Sequence, residues 1–349
     1  MNNGNPTPSE RYWLCPLYSF NCDCESVDLN NGIQIKQASD NLKDYLLKEF
    51  TLESDPIAWH TICGNLKYMV VFPERSVPKG VLGNRSVWQA SRLLLNLITA
   101  FRLCHAGKVA PGPLLDAEAD NSISSIADIP PGCVTDVGML SPKDTSELFA
   151  FGSEYKLRKS DVPQVNELVK HLSELRHKKA PDSLELALER FNSSYYGKLE
   201  DRLIDQMIAF EYLYIGDDKE LGYKLALRMA FLIGQRPGEI SSDIQEETTR
   251  ELIFIDMKKA YDLRSKVVHG SKQLEQSEFE KIIPKTEEYL RQSIRRFLSL
   301  LSAGYSLEEL KKGKANQPAK LELNILNNGW LPPPNNPRRG QNATLSNSF

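Results

Sequence analysis

From Pro163 to Leu301 the apolar residues of this chain recur at a helical period in one segment after another, and a run of that kind folds into little other than a bundle of helices. Pro163 suits a first helical turn, and Val165, Leu168, Val169 and Leu172 form one apolar face behind it. Ser183 is placed to cap a second helix carrying Leu184, Leu186, Leu188 and Phe191. A third is expected over residues 197–214, with Leu203, Ile204, Met207, Ile208, Phe210 and Leu213 turned inward. A fourth covers 218–233 and stops at Gly234 and Pro237-Gly238; a fifth starts near Thr248, and a sixth spans 277–301.

Ahead of Pro163 the pattern changes. Tyr12–Phe20, Gly32–Lys36 and Leu66–Phe72 read as strands, the last being rich in β-branched and aromatic residues. Pro73, Pro78, Gly80 and Gly83 punctuate a loop, after which Ser86 caps a helix that runs to His105 and stops at Gly107. Val134–Leu140 and Leu148–Leu157 read as further strands. The fold class is therefore α+β, an N-terminal mixed α/β domain followed by an all-α helical bundle. Residues 1–10 are expected to be disordered, 11–160 to form a recognition or sensor domain, and 161–303 the bundle. Residues 304–349 read as a polar tail, with a short helical piece at 306–314 and a Pro- and Asn-rich end. There is no Gly-rich phosphate loop, His-Glu-x-x-His or Gly-x-Ser-x-Gly to give the first domain a chemistry of its own.

A net charge of −3 argues against a uniformly basic surface, so any polyanion must find a local patch. The six cysteines (15, 22, 24, 63, 104 and 133) lack paired metal spacing, and Cys22-x-Cys24 is too close for half a zinc knuckle. No metal and no cofactor is expected, and free thiols fit a reducing, cytoplasmic setting. The most apolar run, Val87–Cys104, is broken by Arg92, Asn96 and Arg102, which argues against a membrane span.

The chemistry that stands out lies at the end of the fifth helix, in Ala260-Tyr261-Asp262-Leu263-Arg264-Ser265-Lys266-Val267-Val268-His269-Gly270, where Gly270 sits at a C-cap position. An imidazole exchanges a proton near neutral pH, and a guanidinium holds a phosphate as charge builds on it. Five residues turn a helix by about 140° and advance it about 7.5 Å, so Arg264 and His269 do not share a face. They converge if the helix frays between them or if a second copy supplies the complement. On spacing alone the bland reading is an arginine paired with a carboxylate and a histidine at a helix end. His171 and His177 lie on a polar helix, His105 suits a helix C-terminus, and His60 has no evident partner.

Three blocks in succession change the weight of that pair: Asp201-Arg202-Leu203-Ile204-Asp205-Gln206-Met207-Ile208-Ala209-Phe210-Glu211-Tyr212-Leu213, Leu225-Ala226-Leu227-Arg228-Met229-Ala230, and Tyr261–Gly270. In order and spacing they resemble the Apea-like branch of the HEPN superfamily, over about residues 185–300. The resemblance implies a HEPN-like helical bundle acting as a metal-independent endoribonuclease of bacterial antiphage defence or toxin type. It implies a homodimer, a 2′,3′-cyclic phosphate product, and Arg264 and His269 as catalytic residues. Glu211 falls where the family places an acid; it is read either as an interhelical ion partner of Arg228 on the fourth helix, fixing the bundle and orienting Arg264, or as an orienter hydrogen-bonded to Arg264 or His269 directly, with Glu211 and Arg228 both supporting the site. The position after the motif arginine is often Asn, Asp or His in active members and is Ser265 here, a hydroxyl that can bond a phosphate. Lys266 is the nearby candidate for holding RNA, Asp205 reads as a solvated charge, and Tyr261 as core or as a base stacker. Expected partners are RNA, with tRNA anticodons physically favoured because their bases are unstacked, and a phage trigger or defence-system protein. The other class of reading is a helical module that binds RNA, a nucleotide or a protein without cutting.

Overall fold

The computed structural model describes residues 10–49, 63–77, 79, 87–119, 134–136, 153–177, 182–216, 221–235, 249–270, 274–313 and 318–331. The expected cap at Ser86, the expected helix start at Thr248, the strand stretches 137–140 and 148–152, His60, Cys133 and the proline run after Trp330 lie outside them. The architecture is α+β, and the chain divides into two compact units, 1–178 and 179–349.

The first unit is built on an antiparallel sheet of β1 (Glu10–Tyr18), β3 (Ser26–Asp28), β4 (Gln34–Gln37), β5 (Tyr68–Pro73), β6 (Ala110–Pro111), β7 (Leu115–Ala119) and β8 (Val134–Asp136). Its order is β3-β4-β5-β1-β7-β8, with β6 also on β1. Central β1 contains Pro16, which a middle strand tolerates only where no N–H is needed. Here the Pro16 carbonyl accepts from Gly112 N (2.8 Å), so its missing N–H faces the short gap between the β6 and β7 pairings. β2 (Phe20–Cys22) pairs in parallel with β9 (Tyr155–Leu157), and the Phe20 and Tyr155 rings stack at 5.7 Å. Helix α1 covers Asp40–Glu49, and α2 covers Val87–Cys104, as its apolar run predicts.

The sequence boundary at 160 falls elsewhere in the structure. Helix α3 (Val162–His177), read as the first of the bundle, packs on α2 and belongs to the first unit. Its apolar face buries Val165 and Leu172, and polar ties fix it: Asn96 Nδ2 to Ser173 Oγ at 3.4 Å and Cys104 Sγ to Gln164 Oε1 at 3.3 Å.

The helices and strands described in the second unit are all helices: α4 (Asp182–Ser193), α5 (Leu199–Tyr214), α6 (Leu221–Ile233), α7 (Arg250–Val268), α8 (Gln276–Ser302), α9 (Leu307–Lys311) and α10 (Lys320–Leu326), with one isolated parallel bridge between Gln235 and Thr249. The expected spacing holds for most positions: Leu203, Met207, Phe210 and Leu213 of α5 are buried with Ile253, Met257 and Ala260 of α7 and Phe279, Ile283 and Ile294 of α8, while Ile204 and Ile208, expected inward, are half-buried. Each such side chain contributes about 1.5–3 kcal/mol of burial free energy. Thr249 caps α7, its hydroxyl accepting from Leu252 N at 3.2 Å.

Residues 306–313 and 318–330, read from sequence as the start of a tail with one short helical piece at 306–314, form instead a strap of two short helices docked on the bundle. Arg228, with 2% of its side chain exposed, holds it. Its guanidinium donates to the carbonyls of Tyr214 (2.5 Å) and Lys311 (3.3 Å) and to Glu322 Oε1 (2.8 Å). Tyr214 and Lys311 end α5 and α9, so one cation satisfies the orphan carbonyls of two helix C-termini at once. A second clasp closes the strap: Arg250 donates to Asn328 Oδ1 (2.7 Å) and Asn328 O (3.0 Å) while lying over the Phe231 ring. Gly329, at φ +93°, leaves room for that guanidinium, since a Cβ there would run into Arg250 Nη2.

Candidate functional site

Helix α7 carries the motif and presents it on two faces. Arg264 turns toward α5, where its Nη2 lies 4.0 Å from Glu211 Oε1, each side chain about one quarter exposed. That is a contact of charges beyond hydrogen-bond range, and the buried Nε of Arg264 has no hydrogen-bond partner among the described residues. Burial raises the Glu211 pKa above the ordinary carboxylate range, and the Arg264 charge pulls it partly back.

His269 is the C-cap of α7, its backbone N–H donating to Ser265 O at 3.0 Å, and Gly270 follows at φ +69°. Its ring is exposed, next to Val268, itself 53% exposed. The helix does not fray between the two motif residues, so the five-residue step keeps Arg264 and His269 on different faces of one chain.

His269 instead continues a surface stripe with Lys266, Asp262 and Lys259 at three- and four-residue steps. The lower part of that stripe forms one wall of a groove of about 510 Å³, whose other wall is Glu278, Lys281, Ile282 and Lys285 of α8. Deep in the groove Asp256 accepts from Lys285 Nζ (3.1 and 3.0 Å) and from Tyr289 Oη (3.0 Å). Lys285 is thereby committed, while Lys259, Lys266 and Lys281 face the opening. Ser265 is half-buried and Tyr261 lays its ring on the backbone of Gly222, where a Cβ would meet it at 2.8 Å; packing takes up the Tyr261 face.

No family model, curated protein or solved structure matches the chain.

Two expectations about polar partners change in the structure. Arg228 does not pair with Glu211; it lies buried on Tyr214, Lys311 and Glu322, and Glu211 is left to Arg264. Asp205 is no free surface charge, since Arg190 Nη1 lies 2.9 Å from it. Behind Glu211 a cleft of about 400 Å³ is bordered by Tyr212, Ile215, Gly216 and Leu221, with Lys311 and Lys312 of the strap on its far side. Lys311 Nζ donates to Tyr212 O (2.8 Å) and Ser183 Oγ (3.1 Å), and burial lowers its pKa to about 8. Sequence reasoning missed Lys311 because a lysine in a charged tail has no signature; only docking of α9 desolvates it.

In the first unit the fold gives His105 the carboxylate that its sequence neighbours do not supply. Its Nε2 lies 2.7 Å from Asp161 Oδ2, close enough to touch but without hydrogen-bond geometry. Asp161 also accepts from Arg158 N at 2.9 Å, which fits a role in shaping the turn into α3. Cys22, Asp23 and Cys24 bring their donor atoms within 4.8 Å of one another. Asp23 Oδ1 there already accepts from Cys24 Sγ (3.1 Å) and Lys159 N (3.1 Å); burial pushes the Cys22 pKa up, and the bond to Asp23 pushes that of Cys24 up. That arrangement suits a structural turn better than a metal site. No helix among the described residues is long and apolar enough to cross a membrane.

Proposed function

We propose that the second unit is a metal-independent endoribonuclease of HEPN type, completed by a second copy of the chain, in antiphage defence or toxin-like growth arrest. The observation that supports this most is the pairing, at one helix end, of an exposed imidazole on a basic stripe with a guanidinium held on Glu211 and keeping an unbonded Nε. In this mechanism a ribose 2′-hydroxyl attacks the adjacent phosphorus as one His269 takes its proton, Arg264 stabilises the crowded phosphorane, and the P–O5′ bond breaks as a second His269 gives a proton to the departing 5′-oxygen, leaving a 2′,3′-cyclic phosphate. One imidazole does not reach both sides of the phosphorus. Two copies related by a two-fold axis bring two His269 rings and two Arg264 groups to one strand and so supply acid and base together. Glu211 orients Arg264, Ser265 offers a hydroxyl to the phosphate, and Lys266 holds a neighbouring phosphate. Arg228 supports the site at one remove by fixing the end of α5, the helix that carries Glu211.

The test is sequencing of RNA ends after expressing the parent chain, Arg264→Ala and His269→Ala. Ends carrying 2′,3′-cyclic phosphate that vanish in both variants and persist in chelator support the reading. Cleavage by His269→Ala at the parent's rate, or its loss in EDTA, refutes it.

A second reading, an RNA-binding module that does not cut, is favoured by one geometric fact: Arg264 and His269 sit on different faces of an unbroken helix, so a single copy lacks a joined site. The lysine-bordered groove beside Lys266 is where such a module would hold a strand. RNA retained in a mobility-shift assay and recovered intact decides for it.

A further inference from the structure

The groove between α7 and α8 carries more charge than the one phosphate held by Lys266 would need. Its α7 wall alternates in sign at three- and four-residue steps through Lys259, Asp262 and Lys266, and its α8 wall adds Glu278 and Lys281. Buried Leu263 and Ile282 lie beneath them. All five charged residues are exposed. None of their side chains has a hydrogen bond or an opposite charge within 4.0 Å among the described residues, whereas Lys285 and Asp256, deeper in the groove, are bonded to each other. The step from α7 to α8 that lies outside the described residues reads Ser271-Lys272-Gln273 and brings no acid.

Helix electrostatics accounts for part of this. Lys266 in the last turn of α7 and Glu278 in the first turn of α8 each complement a helix dipole. Lys259 and Asp262 lie in mid-helix, where the dipole gives no reason for either charge, and they do not close into the ion pair that their spacing allows. Cations on both walls with carboxylates set between them suit a partner whose negative groups alternate with hydrogen-bond donors. A single RNA strand is such a partner, with a phosphate and a 2′-hydroxyl in every nucleotide. DNA lacks the hydroxyl, so its phosphates would meet the two carboxylates with nothing to donate.

We infer that this groove is the track along which one unpaired RNA strand leaves His269. Lys259, Lys266 and Lys281 take successive phosphates from the two walls, and Asp262 and Glu278 accept from the ribose 2′-hydroxyls between them. Lys266 lies one three-residue step from His269, and Lys259 is about 10 Å further down the helix, so the track carries the nucleotides next to the bond that is cut. The groove, about 510 Å³, takes one strand between facing cations, while a duplex would meet its rim alone. The inference rests on the endoribonuclease reading for the place of the cut and names the strand that this site takes.

The test is fluorescence anisotropy of the full chain carrying His269→Ala, which leaves the probe uncut, at several salt concentrations. The probes are a short labelled single-stranded RNA, the DNA of the same sequence, and the RNA annealed to its complement. Single-stranded RNA is expected to bind best. Three phosphate contacts contribute about −2 to the slope of log affinity against log salt, and Lys259→Ala or Lys281→Ala should each flatten it by about 0.7. Lys320→Ala, which removes the same charge from the strap, should leave the slope unmoved. Asp262→Ala removes an acceptor for RNA and a repulsion for DNA, so it should lower the RNA-to-DNA affinity ratio roughly 3- to 10-fold. Because these side chains are exposed, the variants should melt with the parent, which separates lost contacts from lost folding. Slopes unmoved by both groove lysine variants, equal binding of RNA and DNA, or a duplex bound as tightly as the single strand would each overturn the track. Sequencing of RNA ends keeps the two ideas apart. Cleavage by the parent with these slopes unmoved refutes the track and leaves the nuclease; the expected slopes and ratio without cleavage by the parent do the reverse.

Discussion

Replacing Arg228 by methionine removes the cation that ends two helices and grips the strap, while keeping the buried volume close to that of the aliphatic stem. The structure sets the size of the effect. Two of its three acceptors are carbonyls at helix C-termini that have no intrahelical donor, and Arg228 itself is almost wholly buried. Charged hydrogen bonds are worth about 1.5–3 kcal/mol each, and breaking a buried pair from one side costs about 3–5 kcal/mol. Glu322, with 42% of its side chain exposed, recovers water when its partner goes, so the loss comes mostly from the carbonyls. The expected cost is about 3–5 kcal/mol, which for a domain of this size lowers the melting temperature by about 6–20 °C. Calorimetry of the full chain reads that number, and limited proteolysis with mass spectrometry reads where the chain opens; cuts within 306–330 should precede cuts in α5 or α6. Glu322→Gln, which leaves both carbonyls satisfied, should cost less than about 1 kcal/mol. If Arg228→Met costs under 1 kcal/mol, or no more than Glu322→Gln, the capping argument fails.

Other consequences are smaller. Gly329→Ala places a methyl where Arg250 Nη2 sits, at a positive φ, and should lose about 1–3 kcal/mol with proteolysis confined to the end of the strap; an unchanged melt would refute the clasp. Asp256→Asn weakens the bonds from Lys285 and Tyr289 and should cost about 1–3 kcal/mol, seen as a lower denaturant midpoint. Glu211 carries a raised pKa, so the folded state binds its proton more tightly than the unfolded chain. Its contribution therefore improves as pH falls through its folded-state titration and worsens as pH rises through it, the reverse of a carboxylate whose pKa is depressed. Relative to Glu211→Gln, the parent should gain stability on acidification, measured by urea unfolding at several pH values. For Lys311, with a pKa lowered to about 8 from 10.5, the burial penalty is present below pH 8 and is relieved as pH rises toward 10.5; Lys311→Met should abolish that rise.

The helices were legible because their burial is periodic: Leu203, Met207 and Phe210 announce α5, and the Thr249 cap marks α7 within a residue of expectation. Strands β1 and β5 were legible from aromatic and β-branched content. Strand β7, Leu-Asp-Ala-Glu-Ala, was not, because its sequence has no strand preference and it pairs only because β1 has an open edge beside it. The partner of Glu211 was left open between two readings for a similar reason. Arg228 and Arg264 are equally plausible in the sequence, and the choice is made by Glu322, an acid in a segment whose composition reads as tail. His105 and Asp161 are far apart in the chain, and only the packing of α3 on α2 joins them.

The wiring of Arg228 also carries a clock. Its acid partner lies 94 residues further along the chain, so during synthesis the guanidinium waits roughly 5 to 20 seconds, at ordinary elongation rates, for Glu322 to be made. Through that interval α5 and α6 exist without the group that pins them to the strap, and the Glu211–Arg264 corner rests on an unfinished frame. In a nascent copy the guanidinium has the Tyr214 carbonyl to hold as soon as α6 is made and gains Lys311 and Glu322 last, so the end of α5 is set before the strap is clasped.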